Sequence, residues 1–413
     1  MKVKKTIKVI GAFLCVASLI SVGYVAWHLI YSATSLTCLE SKPEDSFKFG
    51  ASLAINDSYI AVGDPKANSV AIYSYDKSKD KWSRTREIHP PKNSIIERVG
   101  YGFGNSLVFN QNQLIIGAYS QPKTSTFDDD TESEEYKLTQ QYHGAIYSLL
   151  LDKNELSLPQ KIALPDSFEL TGYSATIFNS KIAIGATTEV EPYIEPGKVL
   201  IVNPTTLEVE ETIEPPSPER KFADFGFVID GNDDFLLVGS RGLTSKGGAL
   251  SIDKSGKIEE IASAKDSTSP FLRAGRSVAI GDDFMAIGNT YGSEGENTLL
   301  LRQSSKAWSL VDIVHFGGSL DTASSYVLIS TDKEISMPTS TFRLIHMLVK
   351  LDKNGAEIIS KIRWKWMPDY QHEAKGIIHN NRLLLGHKGK VVLLSMQNLP
   401  RNYVINRSFC NKK

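Results

Sequence analysis

The feature that most constrains the fold is an internal repeat in which two glycines stand 13 residues apart. In the first copy, Gly50 follows an aromatic residue and opens an apolar run, and Gly63 closes the next apolar run. Five copies keep this spacing, and two degenerate copies follow them. The repeat glycines are Gly50, Gly63, Gly104, Gly117, Gly172, Gly185, Gly226, Gly239, Gly275 and Gly288 in the regular copies, and Gly317 and Gly386 in the degenerate ones. Short apolar runs that return about every 50 residues are typical of a β-propeller.

Each copy has room for four short strands. In the first copy we predict strands over 51–55, 59–63, 70–75 and 82–88, where apolar residues cluster between polar turns. An Asp-Lys-Ser or Asp-Lys-Asn turn links the third strand to the fourth in four copies, because Asp, Ser and Asn side chains bond their own backbone. The sequence therefore predicts an all-β fold, a seven-bladed β-propeller of four-stranded antiparallel blades over residues 47–410. The predicted blades span about 47–99, 100–168, 169–222, 223–271, 272–314, 315–371 and 372–410.

We interpret the repeat glycines as structural. The first strand of a blade lies nearest the axis, where backbones converge, so residues without large side chains fit there. The second strand is apolar on consecutive positions, as expected when both faces of a blade meet neighbouring blades. The aromatic residue before the first glycine is expected to pack between adjacent blades. These aromatic residues are Phe49, Phe103, Phe225 and Phe316.

The motifs resemble the FG-GAP repeat, the unit of the seven-bladed propeller of integrin alpha chains, in its bacterial form. Phe49-Gly50 and the later Val62-Gly63-Asp64-Pro65 follow the pattern of that repeat, with Asp64 in place of the usual alanine. The resemblance covers about residues 47–395. It implies a propeller that contacts its ligands through the loops of one face.

The same resemblance raises the question of calcium. Calcium-binding members of the family carry alternating Asp and Asn residues, ending in Asp-Gly, between the first two strands of a blade. The corresponding links here are poor in carboxylates, and the richest, 230–234, lacks the alternation that a cage of several oxygen ligands needs. We therefore expect no calcium and no other cofactor. A calcium-stabilised adhesin is kept as an alternative function.

Two acidic insertions mark the predicted partner-binding face. The longer one, 119–143, lies between the second and third strands of the second copy, and 187–196 occupies the same place in the third copy. Long loops in compact folds often carry function, and we interpret these loops as contacts for a basic or metal-bearing protein partner. The alternative is a solvated insertion, because runs of like charge tend to be disordered. The predicted contact residues are Tyr119, Phe127, Asp128, Asp129, Asp130, Glu132, Glu189 and Glu191.

The N-terminal segment predicts a membrane anchor. Residues 1–8 hold four lysines and no acid, and residues 9–31 lack Asp, Glu, Lys and Arg over a length that suits one transmembrane helix. Lysines favour the cytoplasmic side, so the linker 32–46 and the propeller are expected outside the cytoplasmic membrane, in the periplasm or the extracellular space. We expect the linker to join the propeller on the face that carries the partner-binding loops. The alternative is secretion after cleavage at the small residues 33–35.

The cysteines bear on closure of the ring. Cys38 precedes the first copy and Cys410 follows the last strand, and exported proteins lie where disulfides persist. We predict a Cys38–Cys410 disulfide that staples the ends of the ring, with two free thiols as the alternative. The last copy is expected to own all four of its strands, so that none comes from the N-terminus. These strands are predicted over 374–379, 382–386, 391–396 and 402–409.

Composition and motifs narrow the class of function. Lys and Arg number 46 against 47 Asp and Glu, a balance that argues against a nucleic-acid partner. The sequence has no Gly-x-Ser-x-Gly, no phosphate-binding loop and no His-Glu-x-x-His motif, so we expect that the protein is not an enzyme. His372, His379 and His387 are not spaced as zinc ligands. The predicted function is a membrane-anchored extracytoplasmic binding or scaffold protein; the alternative is an envelope enzyme that acts on a glycan or peptide in the central pocket.

Overall fold

The structure, a computed structural model, consists of seven β-sheets. It describes residues 36–92, 102–119, 144–152, 157–164, 171–187, 197–217, 225–240, 248–261, 274–289, 297–304, 307–331, 343–352, 355–364, 375–387, 389–405 and 410. The predicted tail 1–8, the predicted transmembrane segment 9–31 and residues 32–35 of the linker lie outside the described residues. Within the described ranges, no helix is long and apolar enough to cross a membrane.

The strands are numbered along the chain from β1 (Leu36–Cys38). Blades one and two contain β2 (Ser52–Ile55), β3 (Tyr59–Asp64), β4 (Ser69–Asp76), β5 (Lys81–Ile88), and β6 (Phe103–Asn110), β7 (Gln113–Ala118), β8 (Ala145–Leu150), β9 (Gln160–Lys161). Blades three and four contain β10 (Ala175–Phe178), β11 (Lys181–Ala186), β12 (Lys198–Val202), β13 (Val209–Ile213), and β14 (Val228–Gly231), β15 (Phe235–Ser240), β16 (Gly248–Asp253), β17 (Ile258–Glu260). Blade five contains β18 (Ala274–Ile280), β19 (Phe284–Asn289), β20 (Thr298–Ser304) and β21 (Ala307–Val314). Blades six and seven are built from β22 (Ser319–Ala323), β23 (Tyr326–Ser330), β24 (Arg343–Asp352), β25 (Gly355–Trp364), and β26 (Lys375–His379), β27 (Arg382–His387), β28 (Lys390–Ser395), with β29 (Asn402–Ile405) at the end of the chain.

The first strands of the seven blades form a closed ring around the axis. β2 contacts β6, and the contacts continue through β10, β14, β18 and β22 to β26, which contacts β2 again. In blades one to five the later strands follow outward in chain order and pair antiparallel. The predicted all-β, seven-bladed propeller with four-stranded antiparallel blades is therefore confirmed.

Adjacent blades share apolar cores. Every residue of β3 is buried, because one face of this strand packs toward blade seven and the other toward blade two. Phe103 is fully buried in the core between blades one and two. Phe49, Phe225 and Phe316 occupy the same place between blades seven and one, three and four, and five and six. The prediction that these aromatic residues pack between blades is confirmed.

The repeat glycines form backbone contacts from blade to blade. The first glycine of each regular copy has a φ between +86° and +96°, a conformation that residues with a Cβ rarely adopt. The second glycine faces the next blade, where a Cβ on Gly63 would overlap the carbonyl oxygen of Gly104. A Cβ on Gly386 would overlap the carbonyl oxygen of Gly50 in the same way. Backbone conformation thus explains the first glycine, and close approach explains the second.

A serine two residues after the first glycine reinforces this contact. Three such serines donate their hydroxyls to the first-glycine carbonyl of the next blade: Ser52 to Gly104 at 2.5 Å, Ser106 to Gly172 at 2.9 Å and Ser174 to Gly226 at 3.2 Å. In the fifth copy, the next blade is the degenerate sixth. There the buried Ser277 Oγ has no hydrogen-bond partner among the residues that the structure describes.

The predicted turn chemistry is present where the turns are described. Asp76 Oδ1 accepts the backbone N–H of Ser78 at 3.0 Å and its hydroxyl at 2.6 Å. These bonds, the hydroxyl of Ser78 first, lower the pKa of Asp76 to about 2. Asp253 holds the equivalent turn of blade four through Ser255 at 2.9 and 2.5 Å. The same two predicted turns in copies two and six reach residues outside the described ranges.

The ring closes differently from the sequence-based expectation. β1 pairs antiparallel with β28, with Leu36 opposite Leu394, and supplies the outermost strand of blade seven. β29 instead runs parallel to β25 as a fifth strand of blade six. The prediction that the last copy owns four strands is therefore wrong. The physical reason is burial, because Tyr403 and Ile405 of β29 enter the apolar core between blades six and seven.

The predicted disulfide forms between Cys38 and Cys410, with 5.4 Å between their Cα atoms. Cys38 belongs to β1, so the bond ties the strand that closes blade seven to the C-terminal segment. The two cysteines lie 372 residues apart in the chain. A cross-link over so long a loop removes much of the conformational freedom of the unfolded chain.

Residues 39–49, which connect β1 to blade one, are fixed by buried polar groups. Asp45 and Arg84 form a two-pronged ion pair at 2.7 and 3.0 Å, with side chains only 3% and 5% exposed. The buried Asp64 accepts the backbone N–H of Ser46 at 2.6 Å and also its hydroxyl. Asp64, which stands where the repeat pattern has alanine, therefore has a structural role in the first copy: it holds Ser46.

The propeller has two distinct faces. We call the face with the links between first and second strands and between third and fourth strands the turn face. The opposite face, from which 119–143 and 187–196 emerge, is the loop face. Leu36 lies at the turn-face end of β1, because its partner Leu394 is close to the end of β28. The expectation that the chain enters on the loop face is therefore wrong, since an outermost strand runs antiparallel to the third strand and starts at the turn face.

Candidate functional site

The loop face presents three packed aromatic rings beside the axis, which we call the aromatic step: Tyr119, Tyr173 and Phe227. Tyr173 stacks on Phe227 with 4.3 Å between ring centroids and 26° between ring planes. Tyr119 meets Tyr173 edge-on at 5.4 Å. Asn105 donates its side-chain amide to the backbone carbonyl of Tyr119. Tyr119 and Phe227 are buried, and Tyr173 is half-buried, so the step is a rigid platform with one partly exposed ring.

The repeat itself places this step. Asn105, Tyr173, Phe227 and Arg276 each follow the first glycine of their copy directly. That position is the loop-face end of the innermost strand, so successive copies bring these four side chains to one side of the axial opening. Sequence reasoning missed them because it treated the position as part of the repeat. The available signal was the change from Ala51 in the first copy to aromatic and charged residues in later ones.

Only one of the predicted partner contacts can be located. Tyr119 directly follows β7, is 5% exposed and packs against Tyr173 in the aromatic step. The other predicted contacts, which lie outside the described residues, are Phe127, Asp128, Asp129, Asp130, Glu132, Glu189 and Glu191. The two acidic insertions leave the described structure after Tyr119 and Thr187, at the ends of equivalent strands in adjacent blades. Their roots therefore lie on the same side of the propeller as the aromatic step.

Three of the innermost strands carry a polar side chain four residues after the first glycine of their copy, and we call these side chains the axial polar layer. At one equivalent position of the innermost strands, a polar side chain accepts a backbone N–H from the next blade. The three bonds are Gly231 to Thr176 at 3.0 Å, Ile280 to Asp230 at 2.9 Å and Ile378 to Asp321 at 2.6 Å. These side chains satisfy amides on the inner edge of the strands, where no further strand can pair with them.

The two aspartates of this layer have raised pKa values. Burial raises the pKa of Asp230 to about 6, although three donated hydrogen bonds oppose the shift. Burial raises the pKa of Asp321 to about 8, and the charge of Asp230 contributes to that rise. Both side chains lie on innermost strands and are half-buried. The sequence does not reveal that carboxylates two blades apart share one axial space.

The acidic turn 230–234 uses its oxygens within the protein. Asn232 Oδ1 accepts the N–H groups of Asp234 and Phe235 at 2.9 and 2.8 Å. Asp234 forms an ion pair with Lys254 at 2.6 Å. In the described part of the chain, no group of three or more His, Cys, Asp or Glu residues is placed to hold a metal ion.

The histidines of the last copy do not converge. His379 Nε2 lies 3.1 Å from Asp57 Oδ1 on the turn face, and this hydrogen bond lowers the pKa of Asp57. His387 is buried at the opposite end of β27, and His372 lies outside the described residues. A further histidine, His346, is fully buried with Nδ1 2.8 Å from Ser330 Oγ. Burial, with a contribution from the charge of His387, lowers the pKa of His346 to about 3.

Comparison with known proteins supports the fold alone. The chain matches no protein-family model, and no curated protein matches its sequence. A structure of streptogramin B lyase superposes with a TM-score of 0.53 at 12% identity, covering 88% of this chain and 97% of the lyase chain. Structures of U3-55K and of the RRP9 WD40 repeats both give a TM-score of 0.52 at 10% identity over 87% of this chain, covering 98% and 97% of theirs. At such low identity these similarities establish a β-propeller and do not assign an activity.

Proposed function

We propose that the chain is a membrane-anchored extracytoplasmic binding protein of the FG-GAP, integrin-alpha-like class, and that it is not an enzyme. Its partner is a protein segment with basic side chains, which binds on the loop face. The observation that carries the proposal is the aromatic step of Tyr119, Tyr173 and Phe227 at the roots of two acidic insertions. A partly exposed aromatic face attracts cations and aliphatic stems, and nearby carboxylates favour a basic partner.

The orientation of the chain supports this proposal. Because β1 begins at Leu36 on the turn face, an anchor at 9–31 connected by four residues would hold the turn face toward the bilayer. The loop face would then point away from the membrane, where a partner has access to it. Glycine spacing in five copies supports the FG-GAP class.

The experiment compares partner capture from envelope extract by the full-length protein and by three variants. We expect loss of the partner on deletion of 121–143 and on Tyr173→Ala, because the first removes acidic charge and the second removes the half-buried ring. Tyr75→Ala is the matched control, since it also removes a half-buried tyrosine ring but lies near the turn-face end of β4. Recovery of the same partners by all three variants would exclude the loop face as the binding site.

A second candidate is an enzyme with its centre on the axis. The observation in its favour is the pair Asp230 and Asp321, whose raised pKa values suit general acid–base work near neutral pH. Each carboxylate already accepts a backbone N–H, which also fits a purely structural role. Hydrolysis of envelope glycans or peptides by the purified protein, abolished by Asp321→Asn with the melting temperature retained, would favour the enzyme over the binding protein.

A further inference from the structure

The turn face holds a cleft of about 290 Å³ at the seam between blades four and five. Its floor is aromatic: Trp308 of β21 meets Phe235 of β15 edge-on, with 5.5 Å between centroids and 77° between planes. Both rings are half-buried, so Phe235 holds the indole in place and part of the indole surface stays accessible. The cleft lies on the opposite face from the aromatic step and is independent of the proposed partner site.

Three polar side chains stand around this floor. Lys257 and Glu259 are two residues apart on one side of blade four, and Gln303 lies opposite Trp308 in blade five. Among the residues that the structure describes, no side-chain hydrogen bond or ion pair engages these three groups. The carboxylate of Asp253 is less available to a ligand, because its Oδ1 accepts hydrogen bonds from the backbone N–H groups of Ser255 and Lys257. An ammonium, a carboxylate and an amide are therefore available to a ligand.

We infer that this cleft binds a neutral pyranose ring of a saccharide. The C–H face of a pyranose is apolar and stacks on an indole, while its hydroxyls both donate and accept hydrogen bonds. The ammonium of Lys257, the carboxylate of Glu259 and the amide of Gln303 provide both kinds of partner, and the second rim carboxylate, Asp253, already accepts N–H groups of Ser255 and Lys257. An anionic ligand would face two carboxylates at the rim, Glu259 and Asp253, and a cationic ligand would face Lys257. The volume is near the lower end of ligand pockets, which suits one ring of a longer glycan.

The test uses the full-length protein labelled with 5-fluorotryptophan, in a detergent without a sugar headgroup, and follows fluorine NMR. The probes are the methyl glycosides of glucose, galactose and N-acetylglucosamine. We expect a saturable shift of the Trp308 resonance, which Trp308→Phe identifies by its loss. Glu259→Gln and Gln303→Ala should each weaken binding about tenfold, because the first replaces a charged acceptor by a weaker neutral one and the second removes the amide from the cleft.

Leu310→Ala is the control, because Leu310 is 54% exposed on the same strand and does not line the cleft. It should leave the affinity unchanged. The inference is overturned if no neutral glycoside shifts the Trp308 resonance, or if Leu310→Ala weakens binding as much as Glu259→Gln. It is also overturned if only charged sugars or arginine-containing peptides bind. Glu259→Gln tests the site even if a tryptophan variant fails to fold, and melting curves report the folding of every variant.

Discussion

Gly386 in the last blade packs against the backbone carbonyl of Gly50 in the first blade, as Gly63 packs against Gly104. The ring is therefore closed near its axis by the same glycine contact that joins its regular blades. At its rim the closure is different, because β1 and the Cys38–Cys410 bond complete blade seven. Ring closure therefore depends on a glycine contact near the axis and on strand pairing with a disulfide at the rim.

Gly63→Ala should lower the free energy of unfolding by about 3 kcal/mol, because the added Cβ overlaps a backbone carbonyl that cannot move independently. Urea unfolding followed by circular dichroism measures the change. Gly256→Ala is the control: its φ is positive, at +82°, unlike that of Gly63, but no atom lies within 4 Å of the added Cβ. That control should cost about 1 kcal/mol. Equal losses in the two variants would mean that close approach is not what selects glycine at position 63.

Ser106→Ala should destabilise the fold by about 1 kcal/mol, since it removes the bond to the carbonyl of Gly172. Ser277→Ala should be neutral or slightly stabilising, because its buried hydroxyl has no partner among the described residues. The two serines occupy equivalent positions, so thermal melting of the pair gives a direct comparison. A larger loss for Ser277→Ala would contradict this account of the seam between blades five and six.

Cys38→Ser and Cys410→Ser should each cost about 4 kcal/mol of stability, and the double variant should cost no more than either alone. The reason is that each substitution removes the same cross-link. Denaturant unfolding under oxidising conditions measures the loss. Cys15→Ser is the control, because it removes a thiol that takes no part in the bond. Additive losses from the two single variants would show that the cysteines act separately.

Asp321→Asn should raise the free energy of unfolding by about 2 kcal/mol at pH 8 and leave it almost unchanged near pH 4. The pKa of about 8 in the folded protein lies above the 3.8 usual for an aspartate, so this carboxyl favours folding fully only at low pH. That contribution is lost as the pH rises toward 8. The expected gain is smaller than the full shift implies, because solvent reaches the half-buried side chain.

The measurement is the difference in unfolding free energy between wild type and variant from pH 4 to 8.5, in which effects of other groups cancel. Asp57→Asn serves as the control, since the pKa of Asp57 is lowered by His379 and the stability difference should have the opposite sign. A constant difference between Asp321→Asn and wild type across this range would show that Asp321 does not titrate differently in the folded protein.

Local pattern was sufficient for the main architecture. Each copy repeats the same glycine spacing because each blade meets its neighbour through the same backbone contact. The number of copies in the sequence therefore predicts the number of blades. Phe49 and Phe103 were identifiable as wedges between blades for the same reason. The pairing of Cys38 with Cys410 also followed from the sequence, because a ring brings the two ends of its chain together.

The blade that each terminal strand joins was decided by the tertiary structure, because it depends on which apolar side chains are buried between blades that are distant in the chain. β29 follows β28 in the chain, yet Tyr403 and Ile405 are buried between blades six and seven, which leaves the edge of β28 to β1. The face on which the chain enters changed with that exchange. The axial space shared by Asp230 and Asp321, the step of Tyr173 and Phe227, and the cleft at Trp308 likewise join residues from different blades. Such groupings depend on how blades pack around the axis, which no single copy of the repeat encodes.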